Sequence, residues 1–312
     1  MIDEMKDEML TKSEKEYNGF GPWFVEIERD MDIPVHFMNH YKFDRDNVMA
    51  YKIPIGKERR TVKVGDILYP KLISLGPDKL VFYDYDIPSD HVSEKVIYYN
   101  TISYIKDEKN LLLGTLTLVM NNDSYSINYN SVSDKTISKI ITFLRSKYLE
   151  GADCKTKDNG GSEPPDLSNL NLTYTNVFNS FYSNEKHLGI LFYHDEKAIG
   201  LRAKNIGRRI FDLVAQPVLQ SWICMTAKKE LILVSRIKGI KRKGEADYSF
   251  AYKYIPYSRI DEVTISENQV FEGVCDLNFR VNNSLESYQT FENCIEIFND
   301  YLGKDTSCGG TR

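Results

Sequence analysis

Tryptophan is scarce in this 312-residue chain, which holds two, and cysteine is sparse and odd in number at five. The cysteines are Cys154, Cys224, Cys275, Cys294 and Cys308, and no pair has C-x-x-C spacing, so neither a disulfide framework nor a zinc signature follows. Unpaired thiols fit a reducing compartment, and the expected location is cytoplasmic. No run approaches the 18 apolar residues of a membrane-spanning helix. The opening stretch, Met1–Leu10, is acidic and lacks the apolar centre of a signal peptide. H-E-x-x-H, G-x-S-x-G and G-x-G-x-x-G are all missing, and Gly56-Lys57 lacks the remaining parts of a phosphate loop. No residue set specifies a reaction, so a non-catalytic protein without cofactor or metal is expected.

What is present points to strands. The chain carries 21 Tyr and 15 Phe, and with Val and Ile these suit half-buried pleated surfaces. Hydrophobic content of 42% and charged content of 27% are those of a globular protein long enough for two domains. The net charge of −5 is unevenly spread: Lys197–Arg259 holds 14 Lys or Arg against 4 Asp or Glu. An acidic chain with one basic segment argues against general nucleic-acid binding, and leaves room for one local anion or acidic-partner site.

The hydrophobic period divides the chain. Met1–Asn18 is charged and could form a frayed helix or stay disordered, Gly19–Pro22 punctuates, and folded structure is expected from Trp23, so 1–22 reads as a flexible segment. Strands are expected around Phe24–Glu28, Val35–His40, Val48–Ile55 and Arg60–Val64. Lys71–Asp84 is a hairpin over Gly76-Pro77-Asp78, followed by strand at Lys95–Ile105 and a hairpin at Leu111–Tyr129 over Asn121-Asn122-Asp123. Ile137, Ile140, Ile141, Leu144 and Tyr148 then form one helical stripe. The polar, Gly-Gly- and Pro-Pro-bearing stretch 151–169 reads as a linker between domains at 23–150 and 170–303, with a flexible tail at 304–312.

The second half repeats the order. Hairpins are expected over Asp195-Glu196 and over Lys228-Lys229, then a basic loop at Lys238–Gly244, strands through Tyr248–Asn283, and a helix carrying Ile295, Ile297, Phe298, Tyr301 and Leu302. Asp78–Phe82 matches Lys229–Leu233, Tyr99 and Ile102 match Tyr257 and Ile260, and Asn121-Asn122 matches Asn282-Asn283. Met225–Ser235, Ile255–Ile260, Gly273, Leu277–Val281 and the last helix resemble the bacterial branch of the pleckstrin-homology-like family. The first half resembles it less, with Tyr98 where Pro256 stands and Asn100-Thr101 replacing Ser258-Arg259. The resemblance implies a mainly β fold with α: two tandem domains, each a partly open barrel or sandwich plugged by its C-terminal helix. It implies little about function, because that fold hosts lipid, peptide and protein binding as well as scaffolding.

Three stretches could carry a function. Tyr248, Phe250, Tyr252 and Tyr254 alternate, so one strand face holds all four rings. That face reads as core or as a protein-docking surface, and a nucleic-acid stacking role is opposed by the acidic remainder. Arg236, Lys238, Lys241, Arg242, Lys243 and Lys253 gather on or beside the basic loop, with Arg202, Lys204, Arg208 and Arg209 upstream. At about 1 kcal/mol per cation near an anionic bilayer, that loop would give weak, salt-sensitive attachment to a membrane surface. Asp84, Asp86, Asp90 and His91 crowd one loop that could hold a hard cation, or could simply be solvated. The reading is a binding or scaffolding module whose partner is another protein, docking on a sheet edge or on the aromatic face of the second domain. The alternatives are anionic lipid at 238–243 and a metal-dependent enzyme at 84–91.

Overall fold

The computed structural model describes residues 12–43, 49–121, 123–150, 165–202, 216–291 and 294–302. It is mainly β and falls into two units: residues 1–102, 112–114 and 127–148, and residues 103–111, 115–126 and 149–312.

The first unit is built on a five-stranded antiparallel sheet in sequence order: β1 (Val25–Glu26), β2 (Met49–Ile53), β3 (Lys71–Leu75), β4 (Lys79–Asp86) and β5 (His91–Tyr98). Gly76-Pro77-Asp78 turns the chain as expected, with Leu75 opposite Leu80. The buried Tyr99 locks that turn by donating its hydroxyl to the carbonyls of Gly76 at 2.8 Å and Lys79 at 3.1 Å. Residues 12–19 are helical (α1) and tied down: Lys12 Nζ donates to the Ile33 carbonyl at 2.6 Å, and Glu16 lies 3.7 Å from Lys52. The segment expected to be flexible is therefore ordered from Lys12.

Two expected strands here are 3-10 turns instead. Val35–Phe37 coils because Phe37 and Tyr41, four residues apart, both enter the core beside Ile33 and Leu72. Arg59–Thr61 coils because Val62 is the one residue nearby with a place in the core. The stripe residues Ile137, Ile140, Ile141, Leu144 and Tyr148 are all buried on α2 (Asp134–Tyr148), each such burial being worth about 1.5–3 kcal/mol. Ser133, just before the helix, spends its hydroxyl on the Phe24 N–H at 3.0 Å.

The second unit contains a seven-stranded sheet in the order β8-β7-β6-β16-β14-β13-β9. Its strands are β6 (Ile102–Asn110), β7 (Leu113–Met120) and β8 (Asp123–Asn130), whose ends at 102, 113–114 and 127–130 count with the first unit, then β9 (Gly189–His194), β13 (Trp222–Thr226), β14 (Glu230–Ser235) and β16 (Ser249–Pro256). Short strands β10 (Lys197–Ala198), β11 (Gly200–Leu201), β12 (Pro217–Leu219) and β15 (Ile240–Arg242) lie between them in sequence. A three-stranded sheet follows: β17 (Ile260–Glu267), β19 (Cys275–Val281) and β20 (Ser284–Thr290), with β18 (Phe271–Glu272) pairing β11.

Both sheets feed one core. Trp222, Cys224, Leu231, Leu233 and Ile255 from the large sheet meet Val263, Leu277, Phe279 and Val281 from the small one. The helix α4 (Ile295–Leu302) plugs it with Phe298 and Leu302, and Phe298 packs edge-to-face on Phe279 at 5.3 Å. Tyr257 pins the plug: its hydroxyl lies 3.0 Å from that of Tyr301 and donates to the Ala227 carbonyl at 2.8 Å.

The division differs from the expected domains at 23–150 and 170–303. β6 pairs with β16, Asn110 opposite Ser249 through Ile105 opposite Tyr254, and Tyr104 and Val119 enter the core of the second unit. In that ladder β6 and β16 supply each other with the N–H and C=O partners that a bare strand edge would leave unsatisfied. Most of the expected linker (151–164) and the tail from residue 303 lie outside the described residues. The hairpin over Asp195-Glu196 does not form: β9 pairs with β13 and β10 with β12, because Ile199 is drawn into a small cluster with Leu219 and Val274.

Candidate functional site

The four aromatics at 248–254 share one face, and a helix of the same chain covers most of it. α3 (Leu172–Tyr182) starts at Asn171, whose side chain accepts the Tyr174 N–H at 3.1 Å. Tyr174 is fully buried, donates its hydroxyl to the Ser221 carbonyl and packs 6.4 Å from Phe250. Phe181 lies 6.2 Å from both Tyr252 and Tyr254. Arg236 stacks over Phe250 at 4.1 Å, and Lys109 lies 5.7 Å from the Tyr252 ring. Tyr248 alone stays open, at 67% exposure. Tyr174, Val177, Phe178 and Phe181 recur at helical spacing after a capping Asn, and that is the signal in the sequence that marks α3.

The basic residues do not converge. Residues 240–242 form β15 rather than a loop, pairing with β12. Lys238 lies 3.2 Å from Glu245, Lys241 lies 2.8 Å from Glu196, and Lys243 donates to Gln216 at 3.1 Å. Glu245 is held below the usual carboxylate range by the Arg242 N–H and by Lys238. Arg202 pairs with Glu267. Lys204, Arg208 and Arg209 lie outside the described residues. Arg236 donates to the Ser249 carbonyl at 2.9 Å.

Lys253 turns into the sandwich, 8% exposed, and forms an ion pair with Glu286. Its ammonium also lies 4.7 Å from the centroid of the Tyr288 ring. The other Glu286 oxygen accepts from the Tyr104 hydroxyl, and burial, with that carboxylate second, pushes the Tyr104 phenol far above its ordinary range. Directly across the ladder from Lys253 stands Lys106, a like charge satisfied separately by Glu108 at 3.0 Å.

In the first unit, Asp84 pairs with Lys71 at 2.6 Å, Tyr85 donates to Asp90 at 2.6 Å, and Ser89 donates to Asp86 at 2.5 Å. Among the described residues no group of three or more His, Cys, Asp or Glu is placed to hold a metal ion.

A feature not read from the sequence lies beside the Lys253 pair. A polar cleft of about 140 Å³ is lined by Gln220, Ser221, Ser235, Arg236 and Gly239 on one side and by Ser287, Tyr288 and Gln289 of β20 on the other. Lys253 and Glu108 also line it. Tyr288 is 5% exposed, and its hydroxyl has no hydrogen-bond partner among the described residues.

β20 is an edge strand. The two-residue turn Asn282-Asn283, with Asn282 at φ +51°, closes on the pair Val281 and Ser284. In such a hairpin the closing pair and every second pair beyond it exchange backbone bonds. The N–H and C=O groups of Leu285, Ser287 and Gln289 therefore face away from β19. The Gln289 carbonyl confirms this parity by accepting from Trp222 Nε1 at 2.9 Å and lying 3.2 Å from His194 Nε2. Among the described residues no further backbone bond is made at Leu285 or Ser287. No signal in the sequence marks β20 as unpaired, since edge status depends on what the rest of the chain covers.

None of the family models, curated proteins or solved structures compared with this chain matches it.

Proposed function

We propose that this chain is a non-catalytic binding or scaffolding module of two tandem pleckstrin-homology-like units, and that its second half receives an extended segment of a partner protein. The repeated order supports the first part. In each half, four principal strands lead through a 3-10 turn (Tyr99–Thr101, Tyr257–Arg259) into three strands and a closing helix. The observation that carries the second part is the open edge of β20 at Leu285 and Ser287. A strand edge recognises any extended backbone, so a protein segment is its natural occupant. The aromatic face is less suited, because α3 already lies on it. Anionic lipid at 238–243 is opposed by Glu245 and Glu196, which offset Lys238 and Lys241. An enzyme at 84–91 is opposed by the internal partners of Asp84, Asp86 and Asp90.

The edge is short. Two outward-facing residues offer four hydrogen bonds, and at roughly 1 kcal/mol net each these supply only millimolar affinity. Useful affinity then requires side-chain contacts next to the edge. The test is Ser287→Pro in the full chain. Proline removes only the outward N–H and fills the edge, leaving the ladder to β19 in place. Linear peptides selected on the wild-type chain from a phage-displayed random octapeptide library should lose binding to this variant. Peptides that bind both proteins equally would remove β20 as the docking edge.

A further inference from the structure

We propose that the turn between β6 and β7 is a membrane-insertion tip, and that its partner is the hydrocarbon boundary of a lipid bilayer. This site uses neither the β20 edge nor the basic residues at 238–243.

The turn is built from residues that water does not favour there. β6 ends at Asn110 and β7 starts at Leu113, so Leu111 and Leu112 make the corner. Leu111 takes φ +53° and Leu112 does not share that sign, a pattern whose first corner residue is ordinarily glycine. The nearby Gly114 serves packing instead, since a Cβ there would run into the Tyr129 ring. Leu111, Leu112 and Leu113 are each 64–72% exposed, and Val132 is 58% exposed. A single exposed leucine needs no explanation, but a run of three is disfavoured in a soluble fold unless it serves binding. Backbone held in the left-handed region by a side chain with no core to fill is likewise a mark of function.

The polar backbone around the corner is satisfied from within. The Leu112 carbonyl accepts from the Ser131 N–H at 2.9 Å, which brings Val132 beside the turn. The Val132 N–H donates to the Asn130 side chain at 3.2 Å, and the Asp134 N–H donates to the Ser131 carbonyl. These groups do not need water, which is the condition for backbone to enter hydrocarbon.

Composition selects the partner. Protein hot spots draw on Trp, Tyr and Arg, with Leu and Val under-represented. Leu and Val are instead among the side chains most readily transferred into a bilayer. A projecting corner also meets a fluid layer without needing a matching pocket. The flank adds cations. Lys135 and Lys139 follow Val132 within two helical turns, both are exposed, and among the described residues neither has an ion pair. Asp134 is the one acid in that stretch, so the balance weakly favours anionic headgroups. Each leucine, already about a third covered, is worth roughly tenfold in partitioning, so three give reversible attachment rather than an anchor.

The test is co-sedimentation of the full 312-residue chain with sucrose-loaded vesicles of phosphatidylcholine, with and without added phosphatidylserine. The wild type should pellet with both, somewhat more with phosphatidylserine, and should stay bound at high salt, where charge contacts are screened. Leu111→Gly is the decisive variant. It removes a side chain and relieves its backbone, so it should raise the urea midpoint while lowering the partition coefficient by roughly tenfold. Leu111→Gly with Leu112→Ser and Leu113→Thr should lower it by about a hundredfold or more. Three results would each overturn the tip as a membrane site: no pelleting of the wild type, pelleting that survives all three substitutions, or leucine-dependent self-association in place of vesicle binding.

Discussion

Replacing Glu286 by leucine should be among the most damaging single changes in the second unit. The side chains of Glu286 and Lys253 are only 16% and 11% exposed. Removing the carboxylate strands a buried ammonium, which costs about 3–5 kcal/mol where a buried pair is broken. It also orphans the Tyr104 hydroxyl, a further 1–3 kcal/mol by the usual range. The Tyr288 ring, 4.7 Å from the ammonium, faces it with or without the carboxylate and so cancels from the difference. The net expectation is a loss of at least about 4 kcal/mol. Lys253→Met with Glu286→Leu should recover most of that, because two apolar side chains of similar volume need no counter-charge.

The assay follows from the scarcity of tryptophan. Trp222 is 3% exposed in the second core, while Trp23 is 45% exposed in the first unit. A Trp23→Phe background therefore leaves one reporter, 4.9 Å from the Tyr288 ring, for urea unfolding followed by fluorescence. A Glu286→Leu loss below about 1 kcal/mol, the value typical of an exposed pair, would refute the argument. So would a double variant as unstable as the single one.

Two further outcomes are expected. His36 and His194 both have their ring pKa lowered, chiefly by burial, while carbonyl contacts pull the other way. The folded state thus binds fewer protons than the unfolded one, so stability is full above the unfolded value near 6.5 and declines as pH falls below it. Urea midpoints at pH 7.5 and pH 5 should show that drop, and His194→Gln should shrink it; an unchanged drop in both His36→Gln and His194→Gln would sink the assignment. Leu111 sits at φ +53° with 68% exposure, so Leu111→Gly should relieve more strain than its added chain entropy costs and stabilise the protein by about 0.5–1 kcal/mol. A lowered melting temperature would show that this leucine makes contacts its exposure does not suggest.

Local pattern made much of the mainly β framework legible. The α2 stripe was readable because five apolar residues at helical spacing have one way to hide together. The hairpins at 71–84 and 221–237 were readable because turn residues separate two apolar runs. What escaped was the assignment of partners. Nothing between Leu172 and Tyr182 says that this helix will lie on Phe250 and Tyr252. The lysines at 238 and 241 look like a cationic patch until Glu245 and Glu196 are seen beside them. Lys253 looked like one more surface cation, yet it faces Glu286 across the core. The cleft was invisible for the same reason: its walls come from β13, β14, β16 and β20, which only the closed sandwich brings together.

The ladder between β6 and β16 has a consequence for how the chain is made. Its two strands are separated by more than a hundred residues. During synthesis β6 leaves the ribosome long before β16 exists, and it must wait with one side bare. A gene fragment ending in the stretch after Glu150 would leave β6 in that waiting state permanently, and bare strands seek one another. Cloning the halves separately should therefore yield insoluble product from the front piece, whatever the tidy appearance of the gap between them.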